Sequence, residues 1–304
     1  MSVVICAYTE DRWDQLCDAA ASAAGQEPPP LEVIVVSDHN PALAARAGEL
    51  GDDVTVIENA HRQGLSGARN SGTEAARGEI VAFLDDDAVA APGWLAALAG
   101  QFGEPDVVAA GGEVRPRWTA GAPDWFPNEF LWVVGCTHSG MPDRPSDVRN
   151  VVGANMAFRR DALLTLGGFH EDVGRVGTLP EGCEETELCI RAQQQIAGAR
   201  VRYDPAAAVD HVVPPQRATW DYFASRCRAE GRSKAIVSQL VGAQDGLAEE
   251  RRYTRETLPR GAWAGLADTF RGDASGLGRS AAIVAGLLTT AFGYGSARVR
   301  RGRR

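Results

Sequence analysis

Glu79-Ile80-Val81-Ala82-Phe83-Leu84-Asp85-Asp86-Asp87 is an apolar, β-favouring run that ends in three consecutive carboxylates. A short run that is apolar on both faces reads as a strand buried on two sides, the signature of a parallel sheet. The same pattern occurs upstream in SVVICAY (2–8), LEVIVVSD (31–38) and VTVIEN (54–59). Helical stretches separate these runs. Residues 11–24 place Trp13, Leu16, Cys17, Ala20 and Ala24 at helical spacing, and the prolines at 28–30 stop that helix. Residues 41–50 read as a second helix. SGARNSGTEAARG (66–78) is predicted to open on a Ser cap and close at Gly78, and PGWLAALAGQF (92–102) to carry Pro in its first turn. Strands alternating with helices predict an α/β fold with the sheet covered on both faces. Ligands bind such sheets at the carboxyl edge. Three polar clusters, Tyr8-Thr9-Glu10, Asp38 and Asp85-Asp86-Asp87, are therefore expected to meet in one crevice.

The second half is less regular. Residues 115–149 are rich in Pro, Trp and Gly and predict a lid or binding loop. A strand over 151–160, a short helix over 161–167, a Gly-rich loop over 168–183 and a helix over 184–195 follow. Glu187 and Arg191 sit at i,i+4 on that helix. A strand over 201–212 and helices over 216–241 and 246–258 complete the body. No internal repeat or low-complexity segment is visible.

The 304 residues are 44% apolar, 23% charged and 7% aromatic, which excludes disordered, collagen-like and coiled-coil classes. The formal charge is −9, and five Arg crowd into the last seven residues, so the body is strongly acidic. That argues against nucleic acid as a partner, because phosphate backbones need a broad basic face. Lys234 is the only Lys; every other basic residue is Arg. This looks like coding bias, so a lone Arg carries little functional weight. None of the six Cys forms a CxxC pair, which speaks against zinc and redox motifs and for buried, reduced thiols in a cytoplasmic protein. The N-terminus lacks a basic region and a cleavage site, so no signal peptide is expected.

Three adjacent carboxylates repel one another unless a cation or solvent relieves them. A hard divalent ion would do so while keeping open positions for phosphates. A solvated acidic loop is the competing reading of the triplet.

The chain resembles the family 2 glycosyltransferases, which have the GT-A nucleotide-sugar fold. The residues behind this are VVICAYTEDR, VIVVSDHN, GLSGARNSG, FLDDDA, GANMAFRR, GGFHED, GCEETELCIR and DHVVPPQR, in the family's order over about 2–217. The match is nearest to a subgroup that extends glycans on polyprenyl or dolichyl phosphate. The resemblance implies a Rossmann-like, mostly parallel sheet flanked by helices, with an irregular acceptor side and a helical C-terminal tail. It divides the chain into a nucleotide-sugar half (1–115), an acceptor and catalytic half (116–215) and C-terminal helices (216–304).

By the same resemblance, Ala7, Tyr8, Thr9 and Glu10 form the turn that cradles the nucleotide base. Asp38 contacts the base and Arg69 lies beside the nucleotide. Asp85 and Asp86 face the donor, and Asp87, with His211, holds Mn²⁺ or Mg²⁺ against the diphosphate. Glu184-Glu185-Thr186-Glu187 match an acidic helix start whose second acid, here Glu185, serves as catalytic base; Glu184 is the alternative. Asn155 and Trp132 are expected on the acceptor side, and Trp125, Phe126 and Phe130 suggest either a sugar-stacking platform or ordinary packing. The implied reaction is inverting transfer from a nucleotide diphosphate sugar, expected to be UDP-linked, to an acceptor hydroxyl on a glycan or lipid-linked glycan. A non-catalytic sugar or lipid-head binding module and a sugar-nucleotide pyrophosphorylase are the competing functions. The second needs a Gly-rich basic loop that CAYTEDR lacks.

Residues 280–297 are uncharged and abut the Arg cluster. Eighteen helical residues span about 27 Å, just short of a bilayer core. The stretch either lies on a membrane surface, packs on the body or spans; the first would place the protein at the inner face of the membrane, with 280–304 as the contact.

Overall fold

β1 (Ser2–Ala7) is the centre of the molecule's parallel half. It pairs on one side with β2 (Glu32–Ser37) and on the other with β4 (Ile80–Asp85), and β3 (Val54–Glu58) extends the set beyond β2, all in parallel. The computed structural model describes residues 1–177 and 182–301. Residues 178–181 of the Gly-rich loop and 302–304 of the basic tail lie outside the described residues.

The chain forms two units. The first contains Met1–Arg115, Pro142–Leu179 and Glu184–His211; the second contains Pro116–Met141, Pro180–Cys183 and Val212–Arg304. In the first, helices α1 (Trp13–Ala24), α2 (Pro41–Ala47), α3 (Leu65–Ala75) and α4 (Trp94–Gly100) alternate with the parallel strands. Two of their starts differ from expectation. α3 begins after Gly64, whose φ of 134° only glycine adopts easily, and Ser66 sits inside the helix with its hydroxyl donated to Val173 O. α3 also ends at Ala75, before Gly78. α4 begins after Gly93, so Pro92 precedes the helix and is not in its first turn.

Beyond β4 the sheet turns antiparallel. β5 (Ala88–Ala90), β6 (Val107–Trp118), β7 (Ser146–Asp147), β8 (Asn155–Arg159) and β9 (Arg200–Val213) complete a nine-stranded sheet in the order β3-β2-β1-β4-β8-β6-β9-β5, with β7 against β9. The sequence did not foretell β6. Its Gly111-Gly112 pair looks like a breaker, but a Cβ at Gly112 would come 1.7 Å from Ala207 O, so a close backbone approach demands glycine there. Helices α5 (Arg160–Thr165) and α6 (Glu184–Gln195) cover this side. The core joins Val4, Ile34, Phe83, Met156, Phe158, Phe169 and Leu188. Phe83, Phe158 and Phe169 meet edge to face. Each such side chain contributes about 1.5–3 kcal/mol by leaving water.

The second unit is helical: α7 (Trp220–Leu240), α8 (Ala243–Gly246), α9 (Ala248–Arg252), α10 (Leu258–Phe270) and α11 (Ser275–Arg301). Its core is aromatic. Trp125, Phe126, Phe130 and Trp220 all pack on Phe223. Phe126 and Phe130 are buried, which settles them as packing residues. α11 packs along α7 and α10. The α7–α11 crossing is tight: a Cβ at Gly231 would lie 2.1 Å from Thr290 O, and one at Gly293 2.2 Å from Arg228 O. The opposite face of α11 carries Leu277, Val284, Leu288, Phe292 and Val299, all more than half exposed. Their spacing of 7, 4, 4 and 7 puts them on one stripe. Ser275–Val299 is long and apolar enough to cross a membrane, at a mean hydropathy of 1.3, and 28% of its most apolar window is buried. The helix therefore packs on its own unit by one face and offers an apolar stripe on the other.

Candidate active site

Strand register builds the site. Parallel pairing aligns Cys6 with Asp85 and Ala7 with Ser37, so Tyr8, Asp38 and Asp86-Asp87 all emerge at one sheet edge. After Asp87 the chain turns into β5, whose antiparallel pairing aligns Ala88 with His211. This brings a histidine from β9, more than a hundred residues later, beside Asp87. One ligand atom from each of Asp85, Asp87 and His211 lies within 4.8 Å of the others. His211 Nε2 is 2.9 Å from Asp87 Oδ1. Two carboxylates and an imidazole fit a divalent ion such as Mn²⁺ or Mg²⁺.

The crevice beside this group is lined by Ala7, Tyr8, Arg12, Asp38, Asp85, Asp86 and Asp87, among others. Asp38 is buried and accepts bonds from Asn59 Nδ2 (2.7 Å) and Gly64 N (2.9 Å), which fix the entry to α3. Glu10 is not among the lining residues; it is exposed and lies 3.6 Å from Arg46. Asp86 is buried with Oδ2 unpartnered. Burial, with Asp87 and Asp85 alongside, pushes its carboxyl up to about 6 against the pull of Arg12.

Arg69, on α3, is 2% exposed and ties the acids together. Its guanidinium donates to Glu184 Oε1 (2.6 Å), Asp85 Oδ1 (3.2 Å) and Gly153 O (3.0 Å). Burial opposes its charge, but Glu184 and Asp85 outweigh that and hold it protonated beyond the usual arginine range. Glu184 is buried and its Oε2 lacks a partner. Glu185 is half-buried and accepts a bond from Thr186 Oγ1 at 3.2 Å. Glu187 pairs with Arg191 at 2.8 Å, as the i,i+4 spacing predicts.

The two expected acceptor residues, Asn155 and Trp132, are both hydrogen-bonded within the protein. Asn155 is wholly buried; its Oδ1 accepts from Trp94 Nε1 (2.7 Å), and its Nδ2 donates to Glu113 O (3.0 Å) and Ala207 O (2.7 Å). With every polar atom so committed, it cross-ties α4, β6 and β9 and has no surface to offer a ligand. Trp132 belongs to the second unit, where its Nε1 donates to Tyr253 Oη at 3.1 Å.

Sequence reasoning missed Arg12. Its Nη1 is 2.7 Å from Asp86 Oδ1 and 3.3 Å from Asp87 Oδ2. The available signal was its place at the end of VVICAYTEDR, one turn past a strand that feeds the crevice. Leu65, Ala68, Arg175 and Gly177 also line the crevice and were not foreseen.

A glucosyl-dolichyl phosphate glucuronosyltransferase of Haloferax volcanii is 36% identical over 245 residues, covering 79% of this chain and 78% of that protein. The succinoglycan biosynthesis protein ExoM of Rhizobium meliloti is 27% identical over 269 residues, covering 81% and 82%. Among solved structures, a mannosyltransferase of Pyrobaculum calidifontis in complex with GDP-Man and Mn²⁺ superposes with a TM-score of 0.55 at 19% identity, over 95% of this chain and 86% of that one. That likeness shows a shared GT-A fold. Glycosyl transferase family 2 matches residues 2–167, over half of the chain, and with the Haloferax relative this makes the protein a member of that family.

Proposed function

We propose that the protein transfers a sugar, with inversion, from a nucleotide diphosphate sugar to an acceptor hydroxyl on a lipid-linked glycan. The observation that carries this is the convergence of Asp85, Asp87 and His211 at the mouth of the crevice lined by Tyr8 and Asp38. A divalent ion held by those three would place positive charge against the diphosphate as it leaves. In the proposed division of labour, residues 1–115 bind the donor, 116–215 the acceptor, and 216–304 face the membrane.

Glu185 is proposed as the base. Glu184 is pinned by a buried arginine, with its Oε1 committed to the Arg69 guanidinium at 2.6 Å. Glu185 is half-exposed, and a Cβ on Gly153 would lie 3.6 Å from its Oε2, so it stands at the wall of the same acidic group. Glu185 takes the proton of the acceptor hydroxyl. The oxygen attacks the anomeric carbon, and the bond from that carbon to the diphosphate breaks on the opposite side. One displacement of this kind inverts the anomeric centre. Trp132 is the proposed acceptor contact. The UDP-linked donor rests on the resemblance, and the lipid-linked acceptor is supported by the name of the Haloferax relative and the exposed stripe of α11.

Thermal unfolding with UDP or GDP tests the donor site. The nucleotide is expected to raise Tm more with Mn²⁺ than with EDTA, and Asp87→Ala to erase the difference. An equal rise in EDTA would overturn the metal role, and a response to GDP alone would overturn the UDP preference.

A further inference from the structure

Arg12 stands at the end of the short turn Glu10–Arg12, with its guanidinium 5.4 Å from the centre of the Tyr8 ring. Its side chain is 21% exposed and lines the crevice. Burial opposes its charge, and Asp86 and Asp87 more than restore it. Both oxygens of Asp87 are thus engaged: Oδ1 by His211, a candidate ligand beside it, and Oδ2 by a fixed cation. A divalent ion at Asp87 would sit beside the Arg12 guanidinium, which lies 3.3 Å from Oδ2, and two cations side by side repel. Arg12 lines the crevice in which a diphosphate would lie. A guanidinium matches phosphate oxygens in a two-pronged fork.

We infer that Arg12 is a built-in counter-ion that competes with the divalent ion for Asp87 and moves to the donor's diphosphate, coupling metal binding to nucleotide binding. This rests on the donor-and-metal reading above. In the empty site Arg12 neutralises Asp86 and Asp87 and so weakens metal binding. A nucleotide diphosphate gives Arg12 another partner and removes that penalty. By linkage, each ligand then tightens the other by the same factor.

Mn²⁺ titrations followed by electron paramagnetic resonance, with and without saturating UDP or GDP, test this without relying on turnover. Wild-type protein should bind Mn²⁺ more tightly when the nucleotide is present. Arg12→Gln should bind Mn²⁺ alone about 5-fold or more tightly than wild type, at the lower end of ordinary site-to-site coupling, and should gain correspondingly less from nucleotide. Arg12→Lys keeps the charge and should stay near wild type. A folded Arg12→Gln protein whose Mn²⁺ affinity is unchanged or weaker overturns the inference. So does wild-type protein that binds Mn²⁺ and nucleotide independently, a result that needs no variant to fold. If wild type binds neither, the donor-site reading falls with it; if it binds both without coupling, only the role of Arg12 falls.

Discussion

Glu184 presents Oε1 to the Arg69 guanidinium at 2.6 Å, with both side chains almost wholly buried. The pair ties the first turn of α6 to α3. Such a pair adds little net stability over an apolar one, but removing Glu184 leaves the buried Arg69 charge with only its longer contact to Asp85 as a bonded carboxylate. Glu184→Ala is expected to cost about 3 kcal/mol or more in urea unfolding. Glu185→Gln should unfold near the wild-type midpoint yet lose about 10²-fold or more in turnover, with donor affinity kept. The opposite pattern, a larger turnover loss for Glu184→Gln than for Glu185→Gln, would move the base to Glu184.

Gly231 and Gly295 lie in partnered helices but differ in what a methyl group would meet. At Gly231 it would strike Thr290 O across the α7–α11 crossing, and at Gly295 it would meet nothing within 4 Å. Gly231→Ala should destabilise by about 1–3 kcal/mol through overpacking. Gly295→Ala should stabilise by about 0.5–1 kcal/mol through helix propensity. Thermal unfolding of the two variants should move in opposite directions.

The parallel half of the sheet was legible because two-sided burial leaves continuous apolar runs, and the three acidic strand ends follow from it. β6 was hidden because Gly111-Gly112 mimics a breaker until Ala207 O is known to lie against it. Asn155 is a related case: a polar residue at a strand end looks the same in sequence whether it faces a ligand or, as here, bonds Trp94. Arg12 was discounted by composition, since one Arg among many carries no mark. His211 stood out only through resemblance; the strand register that delivers it to Asp87 is not local in sequence.

Glu230 on α7 supplies a pH dependence. Burial raises its carboxyl, but Lys234 and Arg226 overcome that, with help from the Cys183 thiol and against Glu250, so its pKa lies below the usual glutamate range. A carboxylate with a lowered folded pKa stabilises fully above the ordinary value, about 4.3, and loses that contribution as pH falls through the lower folded value. Far-ultraviolet melting should show helix stability declining as the pH drops below about 4. Glu230→Gln should flatten that decline; an unchanged slope would assign it to other carboxylates.

The stripe on α11 should bind anionic vesicles. Leu288→Glu with Phe292→Glu places two charges on the exposed face and leaves the Gly286 and Gly293 contacts alone. Vesicle flotation should drop sharply, with thermal stability retained. Salt should weaken wild-type binding, because attraction to exposed arginines such as Arg298 is screened within about 10 Å at 0.1 M. Wild-type protein that ignores anionic vesicles would remove the membrane role. Truncation at Arg279 is the poorer test, since the inner face of α11 is part of its unit's core.

Lys234 is the only lysine, and its amine sits 2.6 Å from Glu250 and 3.5 Å from Glu230 with the side chain 13% exposed. An amine-reactive reagent therefore has one lysine side chain to find in this sequence, and it is locked between helices α7 and α9. In the native state, mild labelling should leave that amine almost unmodified. The slow appearance of a label on Lys234 would then time the opening of those two helices, giving a single-site chemical clock for the helical unit without any engineered residue.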